Sequence, residues 1–177
     1  MPMIRPKIKD VFKPKMLNPK LTELELGYLV GLIDGEGTIT ITARKKIKKK
    51  AGFQLLATLT IVNTSENLAI WLQSLGFRKQ KRKRFELYKV CYMACSEGYG
   101  ILPLLKRIEP YLMVKQKQCQ LVIKYIEKRL EMEMNSPYDK QDVEIMTQVR
   151  TLNMKGKRFP VRPLYPNLVN QQIKISV

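Results

Sequence analysis

The sequence predicts a single α+β domain in which a helix and two strands are followed by a second helix, two more strands and closing helices. Three observations carry that reading. Leu26, Leu29, Val30 and Ile33 recur at three- and four-residue spacing behind a Thr22/Glu25 pair with capping-box spacing. Residues 38–42 alternate threonine with isoleucine, the pattern of a half-buried strand. Two equally dense basic runs, at 44–50 and 78–84, stand in matching places in or beside two strand pairs.

Residues 1–20 carry Pro2, Pro6, Pro14 and Pro19 among basic residues and read as an extended arm, not a helix. The domain proper spans 21–153. Its first helix covers 22–35, and the strand at 38–42 pairs with a second at 53–62 through a basic turn closed by Ala51 and Gly52. Residues 65–75 form a helix with Gly76 as its natural C-cap, and a further strand region covers 78–94. Residues 99–107 read as a short helix interrupted by Pro103 and closed by Pro110. A longer helix at 115–134 aligns Val122, Ile123, Ile126 and Leu130, and a last helix covers 139–153. The tail at 154–177 cannot be helical around Pro160, Pro163 and Pro166. At 177 residues the chain suffices for one sizeable core and not comfortably for two.

Thirty-three lysines and arginines oppose fifteen acids, a net charge of +18 that favours a polyanionic partner, nucleic acid ahead of anionic membrane. No segment approaches the ~18 consecutive apolar residues of a membrane span, and the N-terminus has no apolar secretory core. The expectation is an intracellular protein with no membrane partner, whose Cys91, Cys95 and Cys119 are reduced and form no CxxC pair. Histidine is absent, which removes an imidazole base, Ser-His and Cys-His nucleophiles, and any zinc site with ordinary ligands. Catalysis has to run on carboxylates, lysine or bound metal.

The densest information lies in Leu29-Val30-Gly31-Leu32-Ile33-Asp34-Gly35-Glu36-Gly37. Gly27, Gly31 and Gly35 fall four apart and line one stripe of the helix. Each costs ~1 kcal/mol relative to alanine, so the stripe needs a reason. Close approach of a second backbone is one, and tight packing within the same domain is the other. Asp34 and Glu36 stand where the helix ends, and a helix C-terminus disfavours negative charge unless a cation sits with it. No further acid follows until Glu66, so an acidic point is set in a basic surface, an arrangement suited to a divalent metal beside a phosphate.

These nine residues closely resemble the LAGLIDADG motif of homing endonucleases, and the order of elements over about 20–153 matches that family's αββαββα fold. The resemblance implies a saddle-shaped antiparallel DNA-binding sheet with additional C-terminal helices. It implies that Glu36 binds a divalent cation, Mg2+ or another, together with the carbonyl of Gly35. It implies that Lys115 and Asn63 join Glu36 as catalytic residues, although strand parity from Phe53 sets Asn63 on the apolar face unless the strand ends before it. Asn67 occupies a region where the family commonly has a basic residue. Gly27, Val30, Gly31, Asp34 and Gly35 would form the dimer interface, with Asp34 serving the turn and the helix end. The motif occurs once, so the resemblance implies a homodimer that cuts both strands of a long pseudo-palindromic target, of the kind encoded within introns.

The same resemblance lays the two hairpins along the major groove of double-stranded DNA. Thr38, Thr40, Thr42 and Arg44 share one strand face, and Gln54, Thr58 and Thr60 share one on the next, placed to meet base edges. The basic tips suit phosphates: Lys45, Lys46, Lys48, Lys49 and Lys50 in the first run. Arg78, Lys79, Lys81, Arg82, Lys83 and Arg84 do so in the second. Arg5-Pro6-Lys7 and residues 155–162 would add backbone contacts. Two alternatives keep the fold and lose the cutting: a maturase acting on intron RNA, and a non-cleaving DNA-binding protein. Glu36 weighs against both, since an acid facing phosphates gains a binder nothing.

Overall fold

Thr22 starts the first long helix through a reciprocal pair of bonds: its hydroxyl accepts the Glu25 N–H at 3.2 Å, and the Glu25 carboxylate accepts the Thr22 N–H at 2.9 Å. The computed structural model describes residues 6–11, 17, 19–46, 52–82 and 89–154, and the elements within them are these. Helices are α1 (Ile8–Val11), α2 (Glu23–Glu36), α3 (Glu66–Ser74), α4 (Leu102–Ile108), α5 (Gln116–Glu131) and α6 (Lys140–Leu152). Strands are β1 (Gly37–Lys45), β2 (Phe53–Asn63), β3 (Arg78–Arg82) and β4 (Cys91–Glu97), which form one antiparallel sheet in the order β1-β2-β4-β3. The expected succession of helix, hairpin, helix, hairpin and closing helices is therefore observed.

All helices of the core pack on one face of this sheet. Ile39, Ile41, Leu55, Ala57, Leu59 and Ile61 turn toward them and are buried with Leu29 and Ile33 of α2, Leu104 and Ile108 of α4, and Val122 and Ile126 of α5. The opposite face keeps the polar residues of alternate positions, so the strands show the two-residue period read from the sequence. Where β4 no longer covers β2, the Leu55 N–H donates to the Tyr138 phenol oxygen at 3.0 Å, and the Tyr125 hydroxyl donates to the Leu55 carbonyl at 3.2 Å. Asn153, just past α6, satisfies the Ile39 carbonyl of the outer strand β1 at 2.8 Å.

Gly76 ends α3 as expected. With φ of +102° it adopts the left-handed conformation that only glycine enters without strain, and the Phe77 N–H returns to the Leu72 carbonyl at 3.1 Å. Pro103 behaves differently from expectation. A 3-10 turn at Tyr99–Ile101 leads directly into α4, and Pro103 stands in the first turn, where a missing N–H breaks no helical bond. It starts the helix and does not interrupt it. Strand β4 runs on to Glu97, three residues past the expected end.

The N-terminal segment also departs from an extended arm. Ile8–Val11 make one helical turn between Pro6 and Pro14, Ile8 is buried, and its N–H reaches the Met132 carbonyl at 2.8 Å. Proline excludes helix only where it stands, and Ile8 gives this stretch an apolar anchor. Leu17 is likewise buried and donates its N–H to the Gly100 carbonyl at 2.8 Å. Arg5, Lys48, Lys49, Lys50, Lys83, Arg84 and residues 155–177 lie outside the described residues. No helix among the described residues is long and apolar enough to cross a membrane.

The two closing helices are locked by a buried ion pair. Arg129 donates to Asp142 at 3.2 Å, to the Pro137 carbonyl at 3.1 Å and to the Ser136 carbonyl at 2.9 Å, and its guanidinium lies 4.8 Å from the Tyr138 ring centre. Both charged side chains are almost fully withdrawn from water, at 4% and 0% exposure. Losing one partner strands the other charge, so Asp142→Asn is expected to lower unfolding free energy by about 3–5 kcal/mol. Urea denaturation followed by circular dichroism measures it; an unchanged midpoint would show that the pair is dispensable.

Candidate active site and nucleic-acid interface

Helix α2 passes into β1 without a linker: Glu36 is the last residue of one and Gly37 the first of the other. Only glycine fits at the joint. A Cβ on Gly37 would lie 2.7 Å from the Ile33 carbonyl oxygen and 2.8 Å from its Cα, backbone atoms that cannot swing aside. The joint leaves Glu36 exposed. Asn63, last in β2, stands two residues past Ile61, the partner of Gly37, and so draws level with the end of α2. Its amide donates to Glu36 Oε2 at 2.5 Å, while its own oxygen accepts the Ser65 N–H at 2.7 Å. Asn63 keeps the parity of the helix-covered face, but its place beyond the paired part of β1 leaves it half-buried and within reach of Glu36.

Asp34 and Lys115 bind the same helix end from the opposite direction. The Asp34 carboxylate accepts the backbone N–H groups of Met113 at 2.7 Å, Val114 at 3.3 Å and Lys115 at 3.0 Å, ahead of the first turn of α5. Lys115 returns its ammonium to the carbonyls of Ile33, at 2.8 Å, and of Asp34. At 5% exposure this ammonium is a buried group. The cation that two acids at a helix C-terminus require is thus supplied in part by Lys115. Asp34 is absorbed by the start of α5, and of the two acids Glu36 alone faces outward. Of the three expected catalytic side chains, Glu36 and Asn63 touch, and Lys115 supports the last turn beneath them.

The described residues contain no group of three or more histidine, cysteine or acidic side chains that would hold a metal by themselves. One chain offers the Glu36 carboxylate and the Gly35 carbonyl, both oxygen donors. Two oxygen donors suit a hard divalent cation that keeps several waters.

The glycine stripe of α2 faces away from the chain's own core. A Cβ on Gly27, Gly31 or Gly35 would meet nothing within 4 Å among the described residues, and Leu24 and Tyr28 on the same helix are 85% and 57% exposed. Val30 does not belong to this face: at 6% exposure it packs into the core with Leu29 and Ile33, which corrects its expected place in an interface. The three bonds to Asp34 hold Met113 and Val114, 92% and 68% exposed, beside the C-terminal end of α2.

The open face of the sheet carries Thr38, Thr40, Thr42 and Arg44 on β1 and Gln54, Thr58 and Thr60 on β2, as expected from parity. Thr58 is only 6% exposed, and its hydroxyl lies 2.7 Å from that of Thr42. Lys46 donates to Gln54 at 3.0 Å. On β3 the register divides the basic run. Arg78 is paired with Cys95, which is paired with Thr60, so Arg78, Gln80 and Arg82 share the open face. Lys79 and Lys81 take the alternate parity. Lys79 reaches Glu66 of α3 at 3.3 Å and lies over the Tyr92 ring, on the helix side. Lys79 and Lys81, expected with Arg78 among the cations suited to phosphates, thus stand on the other side of the sheet from Arg78, and Lys45, by the parity of Ile41, is set with them. Gln80, Cys95 and Glu97 were not anticipated, because β4's register with its neighbours has no local signature in the sequence.

The sequence profile described as LAGLIDADG endonuclease matches residues 29–126. No curated protein matches the chain. Among solved structures, the homing endonuclease I-CvuI in complex with the I-CreI target superposes with a TM-score of 0.62 at 22% identity, covering 86% of this chain and 94% of that one. An archaeal intron-encoded homing endonuclease, I-Vdi141I, complexed with DNA, gives 0.64 at 15% identity over 86% and 96%. I-SmaMI bound to cleaved DNA gives 0.55 at 20% identity, covering 89% of this chain and 49% of that one. The open four-stranded antiparallel sheet with its helices is thus the fold shared with these structures.

The joint makes a stability prediction of its own. Gly37→Ala is expected to cost about 1–3 kcal/mol through overpacking against Ile33, measured as a drop in melting temperature. A neutral result would show that the joint can open.

Proposed function

Because this chain belongs to the LAGLIDADG endonuclease family, we propose that it is a site-specific homing endonuclease that hydrolyses both strands of DNA as a homodimer with a divalent cation. The observation that carries the reading is Glu36, exposed at a rigid helix–strand joint beside a glycine stripe that none of the described residues covers. The stripe permits the close backbone approach of a second α2, and that approach would bring a second Glu36 to the same place. One acid per chain then serves one DNA strand each. The intron-encoded neighbour supports carrying the same genetic setting to this chain.

Glu36 and the Gly35 carbonyl would hold Mg2+, whose charge acidifies a bound water and neutralises charge on the phosphate under attack. Asn63 fixes the Glu36 carboxylate by its 2.5 Å bond and is itself held by the Ser65 N–H. Lys115 and Asp34 keep the last turn of α2 from fraying and so fix the carbonyl of Gly35. The threonine, glutamine and arginine face of the sheet binds the major groove and sets which phosphate reaches Glu36. Binding through several phosphates gives affinity a log-log salt slope of ~0.9 per phosphate neutralised.

Two experiments test the reading. A plasmid library with randomised inserts is incubated with wild-type protein and Glu36→Gln, with and without Mg2+. The expected outcome is metal-dependent double-strand cutting by the wild type, reduced in the variant on the order of 10²–10³-fold or more, as when one group that stabilises transition-state charge is removed. DNA binding by the variant should persist. Binding without cutting by the wild type under any divalent metal would reduce the protein to a binder. For assembly, Gly31→Leu should leave the monomer folded, since its Cβ has open space. It should weaken the dimer about ten- to a hundredfold in sedimentation, the scale of ~1–3 kcal/mol of overpacking. A dimer that tolerates leucine there does not use this stripe.

A further inference from the structure

Among the described strand residues one acid stands on the open face of the sheet, Glu97 at the end of β4. On a surface that meets a polyanion a carboxylate weakens binding, so its presence needs a reason. Glu97 Oε1 accepts Nη2 of Arg44 at 2.6 Å and Nη2 of Arg78 at 2.9 Å. Those arginines come from β1 and β3, the two outer strands of the sheet. One carboxylate thus draws two guanidiniums from opposite edges to a single point above the two central strands. The Cys95 thiol donates to the same oxygen at 3.4 Å and accepts from the Thr60 hydroxyl at 3.5 Å, which seats the acid. Glu97 is sunk into the face at 17% side-chain exposure, while Arg44 and Arg78 stand out at 51% and 57%.

Resting on the DNA-endonuclease reading, we propose that Arg44, Glu97 and Arg78 form one base-recognition module, in which Glu97 is the positioning residue that holds two guanidiniums for two neighbouring guanines. A guanidinium has five N–H donors, so one bond to Glu97 leaves each arginine enough for the paired O6 and N7 acceptors of guanine. Two guanidinium nitrogens that share one carboxylate oxygen are held within a few ångströms of each other, close enough to address neighbouring bases at the ~3.4 Å rise along a strand. The acid also decides between the two targets available to arginine in the groove. A phosphate is an anion and is repelled by Glu97, whereas the guanine edge is neutral. Burial pushes the Glu97 carboxyl up, but its bonds to Arg44 and Cys95 and the charges of both arginines outweigh this and hold it below the usual carboxylate range. The clamp therefore stays ionised wherever duplex DNA is bound.

The test is selection from a randomised duplex pool with wild type, Arg44→Ala, Arg78→Ala and Glu97→Gln, each checked for folding by its melting curve. The wild type should select G·C at two neighbouring positions of each half-site. Each arginine variant should lose one of them by about tenfold or more in discrimination, and Glu97→Gln should lose both. Removing the acid should at the same time raise affinity for a duplex of unrelated sequence, an effect opposite in sign to a misfolded sheet. Unchanged preferences in Glu97→Gln, or arginine variants that weaken all sequences evenly, overturn the module. Two positions lost by Glu97→Gln establish it even where the wild type cuts nothing, which would count against the endonuclease reading alone. A wild type that selects no sequence overturns both.

Discussion

The end of helix α2 is held by one reciprocal interaction, and the site hangs from it. Asp34 receives three N–H groups ahead of α5, and Lys115, the last of those three donors, returns its ammonium to the carbonyls that close α2. Each charge sits at the dipole end that favours it: the carboxylate where α5 begins, the ammonium where α2 ends. Burying an ammonium costs several kcal/mol unless its donors are satisfied, and here backbone carbonyls satisfy them. The lock joins residues far apart in the chain and leaves the joint to β1 no freedom. Gly37 finishes the arrangement by letting the strand depart from Ile33 at a distance no side chain would permit. Glu36 is consequently aimed by the fold and not by its own flexible side chain alone.

The same helix has two apolar faces, and the described residues cover one of them. Leu29, Val30 and Ile33 fill the core, while Leu24, Tyr28 and the glycine stripe stay outside. A helix apolar all round is ordinarily buried all round. Packing within the chain was one of two explanations for the stripe, and among the described residues none fills the space around Gly27, Gly31 and Gly35. Three glycines at ~1 kcal/mol each are a stability cost that no packing among the described residues offsets. Under the proposed function the second copy recovers it, and chemistry becomes coupled to assembly, because a lone chain brings one acid to a reaction on two strands.

Local chemistry was the legible part of the sequence. The Thr22/Glu25 box, the alternation of 38–42 and the glycine cap at Gly76 each follow from residues close in the chain, and each is present. Glu36 and the stripe were legible for the same reason, as positions on one helix. What failed depended on partners far away. The basic run at 78–84 looked uniform, yet the pairing of Arg78 with Cys95 sends Lys79 to Glu66 and the helix side. Glu97 was invisible because nothing near it announces that Arg44 and Arg78 converge there. Lys115 was found by resemblance, but its burial against α2 is a tertiary fact. The turn at Ile8–Val11 was missed because prolines were weighed and the single apolar anchor between them was not.

Net charge is therefore a poor measure of how this surface meets DNA. Of the cations expected to bind, Arg44 and Arg78 are held by Glu97, and Lys79 is drawn to Glu66 and Tyr92. Lysine is a mobile point charge and suits phosphates, while the planar guanidinium rewards being fixed. The sheet follows that division: on β3 its open face carries Arg78, Gln80 and Arg82, and its lysines take the other parity. Charge brings the duplex to the surface at long range, where the sum of +18 matters. Register decides what the duplex meets on arrival, and under the proposed module the acid's cost in affinity is offset by fixing where Arg44 and Arg78 point.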